Sequence, residues 1–131
     1  MYLIDTSVLI GFLKGESSRE TQKFEEILQN KIPFGISALT YQETLQGAKD
    51  KKEYDKLNRY LSTQTIYYPS KQSYESAAKL FFTCRKSGIT IRSSIDVLIA
   101  TTAMEYDIIL LHSDKDFVNI AKVASLKIFE I

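Results

Sequence analysis

The sequence holds one cysteine, Cys84, which excludes an internal disulfide. It also holds one histidine, His112, and the pair cannot supply the roughly four soft or borderline ligands of a Cys/His zinc site. A metal, if this chain uses one, must be held by carboxylates. The two prolines, Pro33 and Pro69, each lie beside a short apolar segment, and no Pro-, Gly- or Ser-rich linker, internal repeat or low-complexity tract interrupts the chain. A single domain over residues 1–131 is expected. No charged segment followed by an apolar run and a small-residue cleavage site is visible, so the cytoplasm is the expected compartment and no membrane is involved. Excess charge of one sign is missing too: 17 basic and 16 acidic residues leave a net charge of +1. That excludes a strongly cationic nucleic-acid binder and leaves any such affinity to local patches. What is present is an ordinary globular balance, with 44% hydrophobic and 25% charged residues in 131, enough for one core.

Apolar runs and helical periodicities alternate along the chain. Tyr2-Leu3-Ile4 reads as a strand ending at Asp5, whose neighbours Thr6 and Ser7 favour a helix start. Val8, Leu9, Phe12 and Leu13 then mark one helix face, with Gly15 as a stop. A helix over 18–30 buries Phe24, Ile27 and Leu28 and leaves its charges in water. Residues 34–37 read as a strand, 38–49 as a helix with Glu43 at its middle, 53–62 as a charged helix, and 66–68 as a strand stopped by Pro69. Over 71–86 the spacing predicts a helix with Tyr74, Ala77, Ala78, Phe81 and Phe82 on its inward face, ended by Gly88. A helix opening near Ser94 turns Ile95, Leu98, Ile99 and Ala103 inward. A fully apolar strand follows over 108–111, then a short helix around Phe117, Ile120 and Ala121, and a last edge strand over 126–131. Strands that are apolar runs rather than period-two patterns indicate a parallel sheet covered on both faces, an α/β fold.

In such folds the ligand crevice lies beyond the carboxyl ends of strands, where strand order reverses. Asp5 and Asp114 follow strands, and Asp96 opens a helix just before the fourth strand. Each also has a plain structural role open to it: Asp5 as a helix cap, Asp96 in a favourable first turn, Asp114 and Asp116 in a turn, Glu43 on a solvated helix face. Their convergence on one crevice would bring several like charges together. Such a cluster is stable only with raised pKa values or a divalent cation, and an all-oxygen set suits Mg²⁺ or Mn²⁺. Hydrolysis of phosphodiesters, leaving 5′ phosphate and 3′ hydroxyl, is the chemistry such a centre performs.

Three stretches carry a family resemblance. They are Tyr2-Leu3-Ile4-Asp5-Thr6-Ser7-Val8-Leu9-Ile10, then Gly88-Ile89-Thr90-Ile91-Arg92 with Asp96-Val97-Leu98-Ile99-Ala100, and Leu110-Leu111-His112-Ser113-Asp114-Lys115-Asp116-Phe117. In this order and at this length the chain resembles the PIN-domain ribonucleases of the VapC toxin type, nearly end to end. The resemblance implies a three-layer fold with a mostly parallel sheet of about five strands. It implies a metal-dependent endoribonuclease with Asp5, Glu43, Asp96 and Asp114 as the acidic quartet, and Asp5, Asp96, Asp114 and Asp116 as metal ligands. Glu43, in Tyr41-Gln42-Glu43-Thr44-Leu45, matches the family helix only loosely. Ser7, with Thr6 beside it, is implied as hydrogen-bonding support for the metal shell. An RNA substrate, first of all transfer RNA, a cognate antitoxin and a homodimer are implied as partners.

Other features have competing readings. His112 is read as packed near the site rather than as a general base. Arg92 serves either a surface salt bridge or a phosphate contact, and the resemblance tips it towards RNA binding. Lys49, Lys51, Lys52, Lys56 and Arg59 are interleaved with acids and read as a solvated face. Apolar residues near Leu9, Phe12 and Leu13 serve a partner or the core. Two other function classes stay open: a non-catalytic partner-binding domain, and a phosphatase or receiver-like domain with Asp5 as phospho-acceptor. The second lacks a convincing further acid-and-lysine pattern.

Overall fold

Short apolar runs, each closed by a side chain able to cap the next helix, set the rhythm of the chain. The computed structural model describes residues 1–130. Among these, the elements in order are β1 (Tyr2–Ile4), α1 (Thr6–Leu13), α2 (Arg19–Gln29), β2 (Phe34–Ser37), α3 (Ala38–Gln46), α4 (Lys51–Leu61), β3 (Thr65–Tyr67), α5 (Lys71–Lys86), α6 (Ser94–Glu105), β4 (Ile109–Leu111) and α7 (Lys115–Ala121). Asp5, Ser18, Ser37, Asp50, Ser70, Ser93 and Asp114 cap the seven helices, each accepting a backbone N–H of its own first turn.

The four strands lie in the order β3-β2-β1-β4, and every pairing is parallel. Leu3 stands opposite Gly35 on one side and Leu110 on the other. Successive strand residues project to opposite faces. Leu3 and Leu110 therefore join a core with Leu80 and Cys84 of α5, Ile99 of α6 and Phe117 of α7. Ile4 and Leu111 join a second core with Leu9, Phe24, Ile27, Leu45 and Leu61 from α1 to α4. The result is three layers, helix, sheet, helix. Gly35 is required by the pairing of β2 with β3, because a Cβ there would lie 2.5 Å from the Tyr67 ring and 2.9 Å from the Thr65 carbonyl oxygen. α6 is buried from Val97 to Ala103, which explains its run of apolar and small residues. Among the described residues no helix is long and apolar enough to cross a membrane.

Several expectations need correction. The sheet has four strands, not about five: the final segment is reduced to one bridge between Ile128 and Leu110, and Ile131 lies outside the described residues. The physical reason is the shortness of β4. Leu110 donates to Lys127 O and accepts from Phe129 N, and beyond Leu111 the chain turns away towards α7. The inward face of α5 is Ser73, Ala77, Leu80 and Cys84, while Tyr74 and Phe82 are 55% and 53% exposed. The buried side is set by close packing against α6, where the Ser73 hydroxyl donates to Glu105 at 3.1 Å. Leu13 and Ile95 are likewise exposed rather than inward, each in a terminal turn that overhangs its core. α3 stops at Gln46, with Gly47 as its C-cap, and α4 begins at Lys51 because the Asp50 side chain accepts from Glu53 N at 2.8 Å.

Candidate active site

The connections leave β1 in both directions, with β2 and β3 built on one side of it and β4 on the other. The crevice of a parallel sheet opens at such a reversal, past the carboxyl ends of β1 and β4. Asp5 directly follows β1, and Asp114 follows β4 after a short turn. Asp5 is 4% exposed. Its Oδ2 accepts the backbone N–H of Ser7 at 3.1 Å and the Ser7 hydroxyl at 2.5 Å. Its other oxygen, Oδ1, is buried with no hydrogen-bond partner among the described residues. Burial pushes the Asp5 carboxyl up despite the Ser7 bonds that pull it down.

Asp96, in the first turn of α6, brings a carboxylate oxygen to within 4.8 Å of oxygens of Asp114 and Asp116. Burial, and then repulsion from Asp5, Asp114, Asp116 and Glu43, raises the Asp96 carboxyl to about 7. Asp116 is buried, and the backbone N–H of Arg92 donates to its Oδ2 at 3.2 Å. Asp114 Oδ1 accepts the Asp116 N–H at 2.9 Å, which locks the two acids in one turn. Glu43 reaches the same crevice from α3. Its Oε1 accepts the Thr6 hydroxyl at 2.7 Å, and Thr6 Oγ1 lies 3.0 Å from that of Thr40. The structure thus draws Asp96, Asp114 and Asp116 into a tight group, with Asp5 and Glu43 near enough to raise the Asp96 carboxyl but outside that triplet.

The hydroxyl side chains hold this geometry. Ser7 Oγ also accepts the Ser113 N–H at 3.2 Å, which ties the turn after β4 to the end of β1. His112 is buried, its Nδ1 accepts the Asp114 N–H at 3.2 Å, and its ring packs 5.1 Å from that of Phe117. Burial lowers its pKa and keeps it neutral. The Arg92 guanidinium lies on the acids, 3.0 Å from Asp114 and 3.5 Å from Asp116. The lysine-rich α4 is a solvated face, with pairs such as Lys51 to Asp55 at 2.9 Å.

Two features were missed in the sequence. Thr40 is buried and touches Thr6; its place three residues before Glu43, on the same helix face, was the available signal. A groove of about 360 Å³ adjoins Asp114, with Arg19, Glu20, Lys115 and Phe129 on its walls. It is built from three distant segments, and no local pattern announces it. The acids fit a hard divalent cation: carboxylate oxygens converge, and a buried Asp5 oxygen has no other partner among the described residues.

Comparison with known proteins agrees with this geometry. A family model described as "PIN domain" matches residues 2–123. The chain is 26% identical over 129 residues to VapC ribonuclease Mb1587 of Mycobacterium bovis, covering 97% of this chain and 96% of that protein. Ribonuclease VapC11 of Mycobacterium tuberculosis matches to the same extent. Among solved structures, VapBC-1 from nontypeable Haemophilus influenzae superposes with a TM-score of 0.73 at 25% identity, covering 98% of this chain and 96% of that one. FitAcB from Neisseria gonorrhoeae does so with a TM-score of 0.75 at 19% identity, covering 99% and 97%.

Proposed function

The chain belongs to the PIN-domain family, and from that premise we propose that it is a metal-dependent endoribonuclease, the toxin of a type II toxin–antitoxin pair. The observation that carries this reading is the convergence of the Asp96, Asp114 and Asp116 carboxylates within 4.8 Å beside Asp5. Asp5, Asp96, Asp114 and Asp116 would hold Mg²⁺ or Mn²⁺. Such a cation, when bound, supplies positive charge against the phosphoryl oxygens and a more acidic water.

The chain's own residues do the rest. Asp96, in the first turn of α6 with its carboxylate beside those of Asp114 and Asp116, would accept the proton of the attacking water at a carboxylate oxygen. Glu43, fixed by Thr6, adds a further carboxylate to the wall that orients that water. Ser7 holds Asp5 in place and ties the turn after β4 to it. Arg92, on the solvent side of the acids, is placed to meet a substrate phosphate. The water oxygen would bond to phosphorus as the phosphorus–oxygen bond to the 3′ oxygen breaks, and the leaving oxygen would take a proton from solvent, giving 5′ phosphate and 3′ hydroxyl. His112 stays neutral with Nδ1 engaged, and its part is to hold the turn that carries Asp114.

RNA is the substrate in this reading, transfer RNA first, and the chain acts in the cytoplasm. Relatives described as VapBC or toxin–antitoxin complexes support a cognate antitoxin as its protein partner. Of the residues proposed to receive such a partner, Leu9 is buried and Phe12 packs edge-on against Phe24 at 5.0 Å, so only Leu13 offers an apolar surface. The exposed row of Tyr74, Ala78 and Phe82 on α5 supports a homodimer.

The test is cleavage of end-labelled total RNA with Mn²⁺ or Mg²⁺, beside an EDTA control and the Asp96→Asn variant. Discrete fragments that need both metal and Asp96 are expected, and their sequences would identify the RNA. No cleavage with any metal by a folded protein, as harmless when expressed as its variant, would replace this reading with a non-catalytic partner-binding domain.

A further inference from the structure

Arg92 lies in the link between α5 and α6, and its contacts divide into two kinds. Its backbone N–H donates to Asp116 Oδ2 at 3.2 Å, which pins the link to a buried carboxylate. Its guanidinium lies 3.0 Å from Asp114 Oδ1 and 3.5 Å from Asp116 Oδ2, yet the side chain is 70% exposed. Among the described residues it is the one cation paired with any of the five acids of the crevice. A guanidinium there offsets like-charge repulsion. Because the guanidinium itself is exposed, its side chain can leave for water while the backbone contact keeps the link in place.

Building on the ribonuclease reading, we propose that Arg92 is a resident counter-ion which a divalent cation displaces from Asp114 and Asp116, and that its release frees the guanidinium for an RNA phosphate. Metal and arginine compete for the same carboxylate oxygens, while arginine and RNA phosphate form the pair that replaces the one lost. Metal loading and RNA capture are then coupled, and linkage makes the coupling reciprocal. Arg92 is a positioning residue whose side chain has two alternative anionic partners.

The experiment is calorimetric titration of Mn²⁺ into the RNA-free protein. Wild type is compared with Arg92→Gln, Arg92→Lys, Lys115→Gln and Asp96→Asn, with circular dichroism confirming equal folding. Arg92→Gln is expected to bind Mn²⁺ about fivefold more tightly, Arg92→Lys to fall nearer wild type, and Lys115→Gln, a neighbouring cation that pairs with no carboxylate among the described residues, to change far less. With RNA, Arg92→Gln should raise KM severalfold while kcat stays within about twofold, and Arg92→Lys should restore part of the loss. Unchanged or weaker Mn²⁺ binding by Arg92→Gln, with wild type binding well, would overturn the proposal and leave the nuclease reading intact. An equal gain in Lys115→Gln would also overturn it, since the effect would then be general charge. Wild type binding Mn²⁺ no better than Asp96→Asn would remove the metal centre itself, and the proposal with it.

Discussion

Asp96 makes the metal-free protein sensitive to pH in a direction opposite to that of most folded carboxylates. Its carboxyl lies at about 7 in the fold against 3.8 in an unfolded chain, so the folded state keeps a proton that the unfolded state has released. The Asp96 contribution to stability without metal is therefore greatest below about pH 4, falls as pH rises from about 4 to about 7, and is level above that. Melts in EDTA should show a lower Tm at pH 8 than at pH 5. Asp96→Asn should remove much of that difference and raise the Tm at pH 8 by about 4 °C, even as it abolishes cleavage. Asp5, shifted the same way by burial, supplies part of the remaining slope. Added Mn²⁺ should raise the wild-type Tm at pH 8 and leave that of Asp96→Asn nearly unmoved. Thr6→Val keeps the volume near Thr40 but removes the hydroxyl that Glu43 accepts. Cleavage should fall about tenfold with little change in Tm, a loss of about 1.4 kcal/mol in transition-state stabilisation, measured as kcat/KM. At this scale the sequence was highly legible: Asp5, Asp96, Asp114 and Asp116 stand where strand ends and helix starts put them. Thr40 was not, because its value lies in a hydroxyl partner 34 residues away.

Elements were legible where a local signal bounded them. Phe34–Ser37 and Lys71–Lys86 begin and end as their own residues predict, since Ser70 caps one and Ser37 closes the other. Which way an element faces was harder to read. On α5 the apolar and aromatic residues outnumber what one face can hold, and the closeness of α6 decides in favour of small Ala77 and Ser73 over Tyr74 and Phe82. The final strand failed for a related reason, because β4 offers a partner only at Leu110. Between β2 and β3 the constraint is steric. Gly35→Ala would drive a methyl group into the Tyr67 ring and the Thr65 carbonyl, the second of which is backbone and cannot yield. A loss of about 2–3 kcal/mol is expected, read from urea unfolding of the metal-free protein, with the slope of the transition unchanged.

At the scale of the whole molecule, Tyr74 and Phe82 stand out as large, half-exposed aromatic residues about two turns apart on one face of α5. If α5 pairs two copies, Phe82→Glu should shift the protein from dimer to monomer in sedimentation equilibrium while its circular dichroism and Tm barely change. A wild-type monomer would exclude the pairing. The groove beside Asp114 and the ion pairs of Arg92 belong to this scale as well. The groove arises where α2 meets the C-terminal segments, which no window of sequence shows, and for Arg92 the sequence offered a salt bridge without its partners, 22 and 24 residues away. Asp5 and Asp114 hold the first turns of α1 and α7 as well as facing the crevice. Asparagine serves a helix cap as well as aspartate does, but it brings no negative charge. A lineage carrying this fold can therefore fall silent by one amide substitution without losing its shape. Descendants that have given up cleavage yet still engage a partner are expected to carry asparagine or serine at positions 5 and 114, and not valine or leucine.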